Sequence, residues 1–198
     1  MNKKKGTVCM SIGALLLLAA MLLTIFNIIE AKNAERASKK VLPELEETIQ
    51  SAREHLWEEE MNPDREMPTV EIDGYRYIGI LEIEAIDLTL PVMEEWDYTR
   101  LKIAPCRYAG SIYQDNMIIA GHNYAKHFSP IKNLPQGTEI CFTDVEGNEF
   151  HYTLEWIDVL EEDQTEQMLE GDWDLSLFTC TYGGGSRYVL RCSRNEEK

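Results

Sequence analysis

Near its C-terminus the sequence reads "LSLFTC", then "TYGGGS", then "RYVLRC". The first stretch alternates, with Leu175, Leu177 and Thr179 on one face and Ser176, Phe178 and Cys180 on the other. Alternation with period two marks a strand, and a glycine-filled connection suits a hairpin. Antiparallel pairing would set Cys180, ending one strand, opposite Arg187, starting the next. Directly opposed residues have Cα atoms about 4.5–5.5 Å apart. Arg191 is four residues further on, or ~13 Å at strand rise. The same register forbids a Cys180–Cys192 disulfide, which needs Cα atoms within about 7 Å. A guanidinium beside a thiol favours the thiolate, and its fork of donors can hold a carbonyl oxygen as it becomes an oxyanion.

Acyl transfer through a thiol also needs a proton donor for the leaving amine, usually a histidine. Four are present: His55, His122, His127 and His151. His55 falls in a charged N-terminal segment, His151 alternates with Tyr152 in a strand, and His127 falls in a loop. His122 stands in "NMIIAGHNYAKHFSP", directly after an apolar strand and a glycine, a strand-end position where reactive groups are commonly displayed. Cys180, His122 and Arg187 are therefore the candidate catalytic residues.

Competing readings of the same residues are weaker. His122 and His127 with two cysteines match none of the usual zinc-ligand spacings, and a zinc-bound thiolate would be quenched as a nucleophile. "GGGSR" lacks the lysine–hydroxyl pair of a phosphate loop and opens no helix. The acidic run "LEEDQTEQMLEGDWD" leads into the cysteine strand and could take calcium, although such runs are ordinarily solvated loops. No metal or cofactor is expected.

The elements that must position these residues are mostly strands. "YRYIGILEI", "LTLPVM", "NMIIAG", "EICFTD", "EFHYTLEWIDVL", "LSLFTC" and "RYVLRC" read as strands, with "DVEGNE" as a hairpin turn. Short helical turns fit "DYTRLKIAP" and "HFSPIKNL". Many short strands and few helices imply an all-β barrel or sandwich over residues 69–198. Upstream, "MNPDREMP" forms a linker with Pro63 and Pro68. Before it, Leu42, Leu45, Ile49, Ala52 and Leu56 follow a heptad-like spacing. That pattern predicts a stalk helix starting near Ser38 and Pro43 and leaning on the head, too short for an independent coiled coil.

Residues 7–29 contain no charged side chain and are long enough to cross a ~30 Å hydrocarbon core as a helix. A cleavable signal would have a shorter apolar region, about 7–15 residues, and a prompt small-residue cleavage site; an uncleaved anchor is expected. Lys3, Lys4 and Lys5 precede the span, while Lys32, Arg36, Lys39 and Lys40 follow it, so flanking charge is nearly balanced. Long domains translocate largely regardless of such charge, which places the head outside. The plan is a basic tail (1–6), a transmembrane helix (7–29), a helical stalk and linker (30–68) and the β-domain (69–198). The whole chain carries a formal charge of −16, and beyond residue 30 there are 16 basic against 34 acidic side chains. That argues against nucleic acid and against docking on anionic lipid, and suits a head standing off the membrane. Beyond Cys9, four cysteines could form two disulfides, but a domain of this size needs none. Cys106, Cys141 and Cys192 adjoin apolar runs and read as structural.

"AGHN", "FSPIKNLPQGTEICF", "LSLFTC" and "SRYVLRC" together resemble the sortases, membrane-bound cysteine transpeptidases of Gram-positive surfaces. "YIGILEIEAIDLTLPV" resembles that family's opening strands, and the likeness spans roughly residues 75–193. It implies a closed eight-stranded β-barrel, with Cys180 attacking the threonine carbonyl of an LPxTG-like sorting signal. His122 would protonate the leaving amine and later deprotonate the incoming one, and Arg187 would steady the oxyanion. An amine of a cell-wall precursor or a pilin would resolve the thioester, which requires the head to face the wall. Ser176 stands where the family often has threonine, and Glu84 where it often has proline; both bear on subclass rather than chemistry. The chain ends in "SRNEEK" with no second apolar span, unlike pilus-polymerising sortases that carry a C-terminal anchor. The rival readings are a hydrolytic cysteine protease and a non-catalytic, membrane-anchored binding module.

Overall fold

The computed structural model describes residues 3–54 and 64–195. One long helix, α1 (Lys3–Arg53), precedes nine strands. They are β1 (Val70–Ile72), β2 (Tyr75–Ile83), β3 (Leu88–Met93), β4 (Cys106–Ala109), β5 (Met117–Ala120), β6 (Glu139–Asp144), β7 (Glu149–Glu161), β8 (Leu175–Cys180) and β9 (Ser186–Arg194). A short helix, α2 (Thr165–Leu169), joins β7 to β8. The strand order is β1-β2-β3-β4-β5-β8-β9-β7-β6, and a further β2–β6 pairing closes the ring. Eight strands thus form a closed barrel without free edges, and the three-residue β1 is a flap on β2.

Alternation along the strands makes two cores. Leu81, Ile83, Met117, Ile119, Phe142, Phe150, Leu175, Leu177 and Leu190 fill the barrel. The opposite parity, including Ile80, Ile118, Ala120, Phe178 and Val189, packs outward with Val41, Leu45 and Ile49 of α1. Strands β5 and β8 are therefore buried on both faces, which explains the unbroken apolar run of β5 and the burial of Ser176 and Thr179 among the apolar residues of β8.

The stalk differs from its expected form. The helix does not restart at Ser38 or Pro43 but runs continuously through Pro43. A proline inside a helix costs about 3 kcal/mol. Burial of Val41, Leu45 and Ile49 against the barrel stabilises by about 1.5–3 kcal/mol each and outweighs that cost. The buried stripe is Ala34, Ser38, Val41, Leu45 and Ile49, so Val41 rather than Leu42 makes the main contact. Leu56 and His55 lie outside the described residues.

Nor does the head stand off from the apolar segment. Glu30, the first charged residue after it, already pairs with Lys102 of the head at 2.7 Å. The helix is long and apolar enough to cross a membrane. Short elements that escaped the sequence reading are β1, β4, α2 and the single helical turns at Glu84–Ile86 and Ile112–Gln114.

Candidate active site

Strands β5 and β8 run parallel, with Ile119 opposite Leu177 and Ala120 opposite Phe178. One further bond, Gly121 N–H to Phe178 O at 3.0 Å, extends that ladder. Two residues further along these adjacent strands stand His122, just past the end of β5, and Cys180, the last residue of β8. Ala120 and Phe178, two residues before them, belong to the outer layer that packs with α1, and Glu30 of α1 lies close enough to His122 to act on its charge.

On its other side β8 pairs antiparallel with β9, and the register sets Cys180 opposite Arg187. The connection beyond is tied by Thr181 N–H to Ser186 O (2.8 Å) and Gly184 N–H to Thr181 O (3.0 Å). Gly183 and Gly184 take φ of 91° and 77°, a region costly for other residues, which accounts for the glycine run. Cys180 is exposed. Arg187 Nη1 donates to Glu162 O at 2.9 Å, which tethers the guanidinium to the start of the acidic run. Phe178 packs edge-on against Tyr108 at 5.2 Å, and Tyr108 against Trp96 at 5.4 Å, backing the cysteine strand with aromatic rings.

Arg191 has a different setting. It pairs with Ser176, is buried, and donates to Ser176 Oγ (3.1 Å), Met168 O (3.1 Å) and Gln167 O (2.7 Å), with Asp158 at 3.3 Å. It holds α2 on the barrel and has no open face for a substrate. The acidic run thus borders the cysteine hairpin through backbone carbonyls.

The histidine loop is held from below. Tyr124 N–H and Phe128 N–H both donate to His122 O, at 2.7 and 3.2 Å. A Cβ on Gly121 would lie 2.2 Å from the Phe128 ring, so only glycine lets that ring close under the loop. The His122 imidazole stacks on Tyr124, with centroids 4.0 Å apart and planes 5° apart. Burial lowers the His122 pKa below the usual histidine range, Glu30 opposes that shift and Lys102 adds to it. Burial, with Glu30 close by, pushes the Tyr124 hydroxyl up to about 12.

Helix α1 contributes residues that sequence reasoning missed. Ser38 Oγ donates to Ile103 O at 2.8 Å and meets His127 Nε2 at 3.3 Å. Because the Ser38 proton is used on Ile103, the His127 Nε2–H is the donor to Ser38. His127 is fully buried, and that burial brings its pKa down to about 4. It is a neutral structural histidine that joins the loop to α1. A serine in mid-helix between charged residues carried no signal, and Tyr124, two residues after His122, was the available clue.

The remaining candidates are elsewhere. His151 lies on β7 opposite Cys141 of β6. Cys106 and Cys192 are buried, with burial raising both thiols to about 12. The five cysteines are free thiols.

A closed barrel bearing a cysteine–arginine strand pair beside a histidine loop is the architecture of a cysteine acyl-transfer enzyme. The Sortase domain family model matches residues 81–195, and the chain belongs to the sortase family, the sortase transpeptidases. The fold is similar to that of a Clostridium perfringens sortase D5 transpeptidase, at 21% identity and TM-score 0.55, covering 83% of this chain and 99% of that one. It is also similar to sortase A from Corynebacterium diphtheriae (17% identity, TM-score 0.56, 91% and 97% covered). Sortase C1 from Streptococcus agalactiae is comparable, at 19% identity and TM-score 0.56 over 81% and 90% of the two chains. No curated protein sequence matches the chain.

Proposed function

We propose that this sortase is a membrane-anchored transpeptidase that cleaves an LPxTG-like sorting signal through a Cys180 thioester. The neutral His122 imidazole takes the thiol proton as sulfur attacks the threonine carbonyl. Arg187 holds the resulting oxyanion, in a position that a free N–H of its fork can reach. The His122 imidazolium gives its proton to the departing amine as the C–N bond breaks. An incoming amine, from a cell-wall precursor or a pilin, then loses a proton to His122 and attacks the thioester. Its attack releases the product and the thiol.

The carrying observation is the Cys180–Arg187 backbone pair, with His122 emerging from the adjacent parallel strand. The lowered His122 pKa supports a neutral base at the start of the cycle. Residues 7–29 act as the anchor, with residues 1–6 cytoplasmic and the catalytic domain outside. No cofactor is needed for any step.

The test is mass spectrometry of products from LPxTG-like peptides offered with several amines. Amine-dependent products and an acyl-enzyme on Cys180 are expected. Product partition indifferent to amine would favour plain hydrolysis. No turnover, with Cys180→Ala indistinguishable from the parent chain, would leave a binding module.

A further inference from the structure

The side of the barrel built from β3, β2, β6 and β7 carries a second chemistry-bearing cluster. Its register aligns Thr89 with Glu82, Glu82 with Cys141, and Cys141 with His151, one outward row across four strands. The interleaved neighbours Leu81, Ile140, Phe142, Phe150 and Tyr152 point into the barrel core. Glu149 precedes His151 by two residues and shares its face. The donor atoms of Cys141, Glu149 and His151 all lie within 4.8 Å of one another. They line a groove of ≈ 420 Å³ with Glu82 and Glu139 on its walls.

We propose that Cys141, His151 and Glu149 bind a zinc ion on this outer face, with Glu82 or Glu139 or a water as fourth ligand. Sulfur with imidazole and carboxylate is a borderline-soft donor set, which suits zinc and not the all-oxygen shells of calcium or magnesium. Zinc bonds of about 2.0–2.3 Å put tetrahedral donors about 3.3–3.8 Å apart. His151 Nε2 and Glu149 Oε2 already lie 3.4 Å apart, and the widest separation, up to 4.8 Å, needs contraction by about an ångström, within reach of side-chain rotation. His151 and Glu149 are both exposed, and the contacts they make, with each other and with Arg53, are surface ones. On binding, the Cys141 S–H proton passes to solvent as the Zn–S bond forms, and His151 ligates as the neutral imidazole.

No part of this cluster belongs to the acyl-transfer site. In the ring, β7 and β9 stand between β6 and β8. The competitor for the site is Arg53, the last residue of α1, which ion-pairs with Glu149 and donates to Gly147 O. An exposed ion pair contributes little, so it yields to a divalent ion.

The test uses the full-length chain in detergent with Cys180→Ala, which removes the exposed thiol of the head. Titration of the metal-free protein with Co²⁺ should give one equivalent of binding with a thiolate-to-cobalt charge-transfer absorption, displaced by Zn²⁺. Cys141→Ser should abolish that absorption, and His151→Ala should weaken binding at least about tenfold. Circular dichroism checks that each variant is folded. If Cys141→Ser does not fold, the exposed His151→Ala carries the test. Absence of the thiolate band, its survival in Cys141→Ser, or unchanged affinity in His151→Ala would overturn the site. None of these outcomes depends on peptide cleavage, so the zinc site and the transpeptidase reading stand or fall separately.

Discussion

Cys180 and Arg187 are a directly opposed backbone pair, whereas Arg191, on the same strand, is opposed to Ser176 and buried. Two arginines four residues apart therefore do different work. Arg187→Lys should lower kcat by about 10²–10³, the usual loss when an oxyanion donor is removed, with the melting temperature little changed. Arg191→Lys should cost about 3–5 kcal/mol of stability, because lysine leaves buried acceptors unpaired, and should spare kcat in the folded fraction. Steady-state transpeptidation alongside thermal melts separates the two. A fully stable, inactive Arg191→Lys would mean that the hairpin register is wrong.

Thiol reactivity should divide by burial. Cys180 is exposed, while Cys106 and Cys192 are fully buried with pKa values raised to about 12 by desolvation. A raised pKa leaves less thiolate at neutral pH, and thiolate is the nucleophile. Iodoacetamide at pH 7.5 should label Cys180 in the native protein and reach Cys106 and Cys192 only in denaturant, as read by peptide mass spectrometry. Native labelling of Cys192 as fast as Cys180 would contradict this assignment.

The stack of His122 on Tyr124 makes the tyrosine a positioning residue. Tyr124→Leu should lower kcat about tenfold to a hundredfold through misplacement of the imidazole, with KM nearly constant. Tyr124→Phe keeps the ring and should restore most of the rate. If leucine and phenylalanine behave alike, the stack does not position His122.

His127 makes the fold sensitive to acid. Its folded pKa of about 4 lies below the unfolded histidine value of about 6.5. The unfolded chain then binds the extra proton between those values, so stability falls as pH drops through that window and the loss levels off below pH 4. Full expression of the shift is on the order of 3 kcal/mol. His122, also depressed by burial, acts in the same direction. Urea unfolding of the full-length chain at pH 7, 5.5 and 4 should show a shallower decline for His127→Leu than for the parent. Identical declines would show that His127 does not carry this dependence.

Several elements were legible before any coordinates. The strands that became β2, β3, β5, β6, β7, β8 and β9 announced themselves by period-two alternation or by short apolar runs, signals that survive in one dimension. Cys180, Arg187 and the hairpin between them were readable because a two-stranded hairpin is local. β4 and β1 escaped because four-residue and three-residue strands are shorter than the pattern that reveals them.

By itself, then, the amino-acid sequence determined the all-β class and the apolar helix, since both depend on local periodicity or residue type; the closed barrel came from the family resemblance, and the candidate chemistry-bearing side chains from residue type and strand-end position. Tertiary structure alone decided that the strand leading to His122 lies beside the strand ending in Cys180, because parallel pairing of β5 with β8 joins segments far apart in the chain. It also decided that α1 continues through Pro43 to reach Ser38 and Ile49 against the head, since burial energy from distant strands overrides a local helix breaker. Cys141 and His151 meet across a local hairpin, but Glu82 reaches Cys141 only through the β2–β6 pairing that closes the barrel, a long-range contact that no sequence spacing encodes.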